Sequence, residues 1–254
     1  MSDYGTFGWY ELMTTNPAAA RDFYTKVIGW SLQGWGDNGD YVMWVAPDGV
    51  PMGASMELPQ QARDMGAPPH WTGYVYVPDL AATLAKVTAR GGKVVVPPTP
   101  VPTVGQIAAF FDPQGASICV LQPDQLNPGA SPQGPGHMGW HELATTDVEA
   151  AKAFYFDVFG WNETMAMDMG GGMMYHLFGK GESAFGGLFV KPPQMPGPST
   201  WMYYVRVPSV AEAIAQTNAL GGQVLMGPHE VPGGDVIAQG LDPQGAFFAV
   251  VGGA

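Results

Sequence analysis

The sequence predicts an α+β fold made of four βαβββ units, and three observations lead there. The chain is duplicated: residues 8–30, GWYELMTTNPAAARDFYTKVIGW, return as residues 139–161, GWHELATTDVEAAKAFYFDVFGW. The doubling continues from Val75–Pro78 to Val205–Pro208, from Gly91-Gly92 to Gly221-Gly222, and from Asp112–Ala116 to Asp242–Ala246. Internal similarity of this length bears on architecture before any local assignment does. Each copy also carries two sets of helix signals, and short β-forming runs bounded by Gly, Pro and Asp follow each helix.

Taken in chain order, the extended stretch WYELMTT leads into Asn16-Pro17. This is an N-cap followed by a proline at the first helical position, where the missing N–H removes no bond. Ala20, Phe23, Tyr24, Val27 and Ile28 keep the three-and-four spacing of a buried face, and Gly29 stops the helix. A strand follows at Tyr41–Val45. The second helix spans Asp79 to Arg90, ends at Gly91-Gly92, and precedes strands at Lys93–Val96 and Ile107–Phe111. In the second copy one helix starts behind Asp147 and ends at Gly160. The last helix starts at Ser209, with Glu212 placed for a capping box, and ends at Gly221-Gly222 before a strand at Phe247–Val251. Residues 122–138, with four prolines and three glycines, read as a linker between domains 1–121 and 139–254.

Composition narrows the function. Apolar residues make up 46% of the 254 residues and charged residues 13%, which is the balance of a folded chain rather than a disordered one. A net charge of −12 repels phosphate backbones and anionic membranes, so neither nucleic acid nor a membrane is expected as a partner. The single cysteine, Cys119, excludes an internal disulfide and a thiolate cluster. With no signal-like start and no long apolar run, a soluble cytoplasmic protein is expected.

A paired βαβββ unit with an x-Glu-Leu-x-Thr-Thr-(Asn/Asp) start, then Phe-Tyr and Gly-Trp, and an Asp-Pro-Gln-Gly turn before its last strand resembles the vicinal oxygen chelate superfamily. That is the glyoxalase I, bleomycin-resistance and extradiol-dioxygenase group. The tandem form and the GW(Y/H)EL start resemble the two-module glyoxalase-like antigens and hydroxylase-like proteins of actinobacteria. The resemblance implies two curved mixed-sheet cups, each built from a pair of units. It also implies metal ligands on first strands and last strands. The first-strand positions fall on Trp9, Thr72, Trp140 and Met202, and the positions after Asp-Pro-Gln-Gly fall on Cys119 and Ala249. A looser alignment offers Glu57 and Val190. A divalent metal needs three or four converging nitrogen or oxygen donors, so none is expected as a cofactor, and a rearranged site is the alternative.

Strand alternation turns Trp9, Glu11 and Met13 inward with Thr72, Tyr74, Tyr76 and Cys119 in one cup. In the other it turns Trp140 and Glu142 inward with Met202, Tyr204, Arg206 and Ala249. An inward Glu in an aromatic cup must be paired, hydrogen-bonded or shifted in pKa, so Glu11 and Glu142 are also the candidate acid–base residues. A purely structural anchoring role competes with both. Arg206 is placed to pair with Glu142 or to bind an anionic group, where Tyr76 offers only a hydroxyl. Trp71 and Trp201 are further stacking candidates, and the methionines between Met165 and Met174 read as an adaptable loop or lid. His141 is expected to be buried and hydrogen-bonded beneath the helix. His70, His137 and His229 are expected in exposed loops, and His176 is aligned with Met43. The expected function is metal-independent binding of a small planar or cationic apolar molecule by a monomer or homodimer. The alternative is a lyase, dioxygenase or hydroxylase-like enzyme.

Overall fold

Each long helix begins at the cap its sequence supplies. In a computed structural model describing residues 4–36, 41–64, 66–126, 134–195 and 197–254, α1 is Pro17–Val27 and Asn16 Oδ1 accepts from Ala19 N at 3.1 Å. α3 (Leu80–Ala89) and α4 (Val148–Phe159) start behind Asp79 and Asp147, whose carboxylates accept from Ala82 N and Ala150 N. α5 (Val210–Ala219) starts behind Ser209, whose hydroxyl accepts from Glu212 N at 3.3 Å. Each cap satisfies an N–H that the first helical turn leaves without a partner. Gly160 closes α4 at φ +70°, in the left-handed region that glycine enters at little cost. One short helix, α2 (Gln60–Asp64), was not expected. Of the expected linker, residues 127–133 lie outside the described residues.

The first repeat supplies β1 (Phe7–Thr14), β2 (Ser31–Trp35), β3 (Tyr41–Val45), β4 (Pro51–Glu57), β5 (His70–Tyr76), β6 (Lys93–Val101), β7 (Gly105–Phe111) and β8 (Ser117–Pro123). The second supplies β9 (Met138–Thr145), β10 (Asn162–Asp168), β11 (Met174–Lys180) and β12 (Ser183–Val190). It continues with β13 (Thr200–Val207), β14 (Gln223–Glu230), β15 (Val236–Leu241) and β16 (Phe247–Gly252). Two open, mixed eight-stranded sheets result, in the orders β2-β3-β4-β1-β5-β8-β7-β6 and β10-β11-β12-β9-β13-β16-β15-β14. The α+β architecture of four βαβββ units is therefore as the sequence predicts. Within it β1 and β4 are parallel with Glu11 opposite Ala54, and β9 and β12 are parallel with Glu142 opposite Gly187. Leu12 and Leu143, the neighbours of those glutamates, point to the other face and are fully buried, each contributing about 2 kcal/mol of apolar burial. The Met165–Met174 segment is no free loop. It forms most of a hairpin in which β10 pairs with β11.

Packing cuts across the duplication. The chain forms two compact bodies: one of Trp9–Thr72, Ser131–Gly139 and Met202–Ala254, the other of Met1–Gly8, Gly73–Ala130 and Trp140–Trp201. In the first body Trp71 Nε1 donates to the Tyr24 hydroxyl at 3.1 Å, and Tyr24 donates to Asp242 Oδ2 at 3.2 Å. In the second, Trp201 Nε1 donates to Tyr155 at 3.0 Å and Tyr155 to Asp112 Oδ2 at 3.0 Å. The other oxygen of each aspartate accepts two backbone N–H groups of its own turn, Gln114 and Ala116 or Gln244 and Ala246. The Phe-Tyr and Asp-Pro-Gln-Gly motifs thus meet as donor and acceptor, each tyrosine from one repeat using the aspartate of the other. Trp71 and Trp201, expected as ligand-stacking candidates, pack instead among other aromatic rings, Trp71 against Tyr24, Trp30 and Trp44, and Trp201 against Tyr155, Trp161 and Phe178.

Candidate functional site

On the opposite face of β1 and β9 the same three chemical groups recur. Trp9 Nε1 donates to the Tyr41 hydroxyl at 2.9 Å, and Tyr41 donates to Glu11 Oε1 at 2.7 Å. Trp140 Nε1 donates to Tyr175 at 2.7 Å, and Tyr175 donates to Glu142 Oε1 at 2.7 Å. The strand period explains the geometry: Trp9 and Glu11, like Trp140 and Glu142, are two residues apart and share a face. A neighbouring tyrosine on β3 or β11 bridges them. Burial, and after it the Glu11 charge, pushes the Tyr41 phenol far above its ordinary pKa, so it stays protonated and keeps donating. Each triad holds a carboxylate in aromatic surroundings, able to accept from a hydroxyl, pair with a cation or take a proton.

The triads differ around this common centre. Tyr175 lies over strand β12 where Gly187 has no side chain; a Cβ there would stand 2.1 Å from the tyrosine ring. The matching residue opposite Glu11 is Ala54. Tyr175 also stacks on Phe189, at 6.1 Å and 28°. Tyr41 instead meets the exposed Trp35 edge-on at 5.8 Å.

The other expected site residues are placed as follows. Thr72, Tyr74, Cys119, Met202, Tyr204 and Ala249 are buried, Cys119 as a free thiol. Tyr74 pairs in register with Cys119, and Tyr204 with Ala249, while the Tyr204 hydroxyl accepts from Gln239 Nε2 at 2.6 Å. Tyr76 donates to Gly8 O at 3.1 Å, and its ring fills the space a Cβ of Gly8 would need. Arg206 lies against Gly139 in the same way and directs Nη1 at Asp235, 3.4 Å away, an ion pair the sequence did not suggest. The glycine of each Gly-Trp-x-Glu-Leu motif is thereby accounted for, since it clears room for the side chain beside it.

The histidines need corrections. His70 and His229 lie in strands β5 and β14 rather than in loops, His70 half-buried and His229 exposed. His137 is not exposed: it is buried, with Nε2 2.8 Å from Asp48 Oδ2. His176 does not align with Met43. Cross-strand register places His176 on Leu188 and Tyr175 on Phe189, as Val42 sits on Ser55, so Tyr175 matches Tyr41 and His176 matches Val42. His176 therefore faces away from the triad, with Nδ1 3.0 Å from Glu163. Tyr41 and Tyr175 are the residues the sequence analysis missed. Their signal is the pair Tyr41-Val-Met-Trp44 and Tyr175-His-Leu-Phe178, which line up only when the loop before the strand is allowed to change length. His141 is where it was expected, buried, with Nδ1 2.8 Å from Phe185 O and its ring stacked on Phe7 at 4.2 Å. Burial lowers its pKa to about 4, so it is neutral near pH 7.

Residues 6–120 and 134–250 each match the family described as glyoxalase/bleomycin resistance protein/dioxygenase superfamily. The chain belongs to this superfamily. Among its relatives is a protein of Mycobacterium tuberculosis named "Putative glyoxylase CFP32", 33% identical over 97% of this chain and 94% of that protein. Another is the anthracycline biosynthesis protein DnrV of Streptomyces peucetius, 31% identical over 97% of this chain and 93% of that one. Superfamily folds match as well. The 2,3-dioxygenase LapB of Pseudomonas sp. KL28 gives a TM-score of 0.67 at 16% identity, covering 100% of this chain and 94% of that one. A Mn(II)-bound glyoxalase of Novosphingobium aromaticivorans gives 0.65 at 16% identity, covering 99% and 83%.

The superfamily therefore raises the question of a divalent metal, and the donor set answers poorly to one. The implied ligand positions hold Trp9, Thr72, Trp140, Met202, Cys119 and Ala249, and both indole N–H groups are already donating to tyrosines. Glu57 is exposed and paired with Arg63 at 3.1 Å, and Val190 is an exposed apolar side chain. Among the described residues no three His, Cys, Asp or Glu side chains converge. These residues do not fit the octahedral or tetrahedral oxygen and nitrogen sets that hard or borderline divalent ions take. No helix among the described residues is long and apolar enough to cross a membrane.

Proposed function

We propose that this superfamily member binds a small, flat, apolar or partly cationic molecule at its Trp–Tyr–Glu triads, without a metal. The observation that carries the reading is the construction of one relay twice, Trp9–Tyr41–Glu11 and Trp140–Tyr175–Glu142. An indole offers a face for stacking, and the carboxylate offers a charge-assisted acceptor for a ligand cation or hydroxyl. The net charge of −12 favours the approach of a cation. The name of the DnrV relative supports a flat polycyclic ligand class. The differences at Gly187 and Phe189 support unequal affinities of the two triads.

A second reading rests on the relative named as a glyoxylase: an enzyme in which Glu142 or Glu11 moves a proton. One set of measurements separates the two. Elemental analysis of protein purified without chelator is expected to find no stoichiometric zinc, iron, nickel or manganese, and EDTA is expected to leave the melting temperature unchanged. A planar aromatic amine such as an anthracycline is expected to raise that temperature saturably. Glu142→Gln is expected to weaken its binding roughly tenfold, the loss of one charge-assisted contact. About one equivalent of zinc, iron, nickel or manganese per repeat with a lower melting temperature in EDTA sinks the metal-free reading. Turnover of a candidate substrate that Glu142→Gln abolishes selects the enzyme.

A further inference from the structure

The β10–β11 hairpin holds a set of groups that the triads do not use. Five of the chain's fifteen methionines fall within Thr164–Met174, a stretch with no Leu, Ile, Val or Phe. Apolar contact alone does not explain that choice, because β-branched and aromatic residues suit a strand better than methionine does. What methionine adds is a polarizable thioether on a flexible arm. Met167 pairs in register with Tyr175, and Met169 N donates to Met173 O at 2.9 Å, so Met169 and Met173 face each other where the hairpin closes. Gly170, Gly171 and Gly172 all have positive φ, and this left-handed tip is what brings the two flanking methionines together. Strand alternation sets Met167 on the face shared by Met169 and Met173, about 6.6 Å along the strand. Met169 and Met173 are 46% and 41% exposed, a cost in water that a bound ligand would remove.

We infer that Met167, Met169 and Met173 form a thioether site for a soft monovalent metal ion, of which Cu(I) is the physiological example. Thioethers select Cu(I) over the hard and borderline divalent ions. The three thioethers stand on flexible side chains at adjoining positions of one hairpin face, the arrangement a shared soft ion requires. The site adjoins the Glu142 triad, because Met167 is the register partner of Tyr175, but its donors are neutral sulfurs and neither Glu11 nor Glu142 takes part.

The test uses the full chain, labelled with ¹³C at the methionine methyl groups. It is titrated anaerobically with Cu(I) buffered by a chromophoric chelator, and separately with Ag(I) as a redox-inert probe. One equivalent is expected to shift the methyl signals of Met167, Met169 and Met173 together and to leave those of buried methionines such as Met52 and Met202 in place. The variant Met167→Leu/Met169→Leu/Met173→Leu keeps apolar bulk but removes sulfur. It is expected to bind at least a hundredfold more weakly, with an unchanged melting temperature and unchanged binding of planar amines. Methyl signals that stay in place, or a triple variant that binds as tightly as the parent, overturns the inference. A triple variant that loses planar-amine binding but not metal identifies the hairpin as part of the ligand site and likewise overturns it.

Discussion

Trp71–Tyr24–Asp242 and Trp9–Tyr41–Glu11 lie in one compact body and carry an indole, a phenol and a carboxylate in the same order, yet their surroundings differ. On the helix side Tyr24 is fully buried, and the second oxygen of Asp242 is occupied by two backbone N–H groups. On the other face of the sheet, Trp9 and Tyr41 are half-buried and the carboxylate belongs to a strand rather than a turn. The other body repeats the contrast with Trp201–Tyr155–Asp112 and Trp140–Tyr175–Glu142. A chain of donors is therefore not in itself a functional sign. What separates the two relays is the burial of the bridging tyrosine, complete at Tyr24 and partial at Tyr41.

Breaking the helix-side relay should be the costliest change. Asp112→Ala removes the acceptor of Gln114 N, Ala116 N and the Tyr155 hydroxyl at once. A loss of about 3 kcal/mol in denaturant unfolding is expected, and a loss under about 1 kcal/mol would remove the distinction drawn between the two relays.

Acid titration gives a comparable effect of separate origin. His141 has a folded pKa lowered to about 4 against about 6.5 unfolded, so the unfolded chain binds more protons between these values. The stability this group contributes is present above about pH 6.5 and is lost as pH falls toward about 4, about 3 kcal/mol in all. Asp112 and Asp242 act in the other direction. Burial raises both above their unfolded values, so their contribution is full below about pH 3.9 and declines as pH rises through the raised values. Melting curves of His141→Asn between pH 7 and 4 are expected to be flatter than those of the parent. Parallel curves would remove His141 as the source.

Smaller effects sharpen the comparison further. Tyr155→Phe strands the Trp201 N–H and one Asp112 oxygen in a dry setting and is expected to cost about 2 kcal/mol. Tyr175→Phe is the same edit in the half-buried triad, where water can replace the hydroxyl, and is expected to stay within about 0.5 kcal/mol. Its effect should appear in ligand binding instead. Equal costs for the two variants, measured by the same denaturant titration, would mean that burial is not what separates the relays.

How far these relays could be read in advance follows from the range of the signals behind them. Asn16, Asp79, Asp147 and Ser209 announce the helices because a cap acts within one turn. Trp-x-Glu announces a shared face because strand alternation has a period of two. Tyr41 and Tyr175 stayed hidden, since they reach the glutamates from about 30 residues away and across a strand pairing whose register depends on loop length. A one-residue slip was enough to match His176 with Met43 instead of Val42 and so to assign it to the wrong face. Trp71 and Trp201 were misjudged for a related reason: an aromatic side chain looks the same in sequence whether it meets a ligand or a buried tyrosine.

The exchange of partners between repeats bears on how a duplicated gene comes to be needed whole. Residues 134–254 alone carry the Tyr155 hydroxyl without Asp112, and residues 6–120 carry Tyr24 without Asp242. A single repeat would need the aspartate of a second molecule to reproduce this pair. A tether between repeats makes the encounter intramolecular, at effective concentrations on the order of millimolar. Two joined repeats need not be identical, which leaves the two triads free to differ, as Gly187 opposite Glu142 and Ala54 opposite Glu11 do.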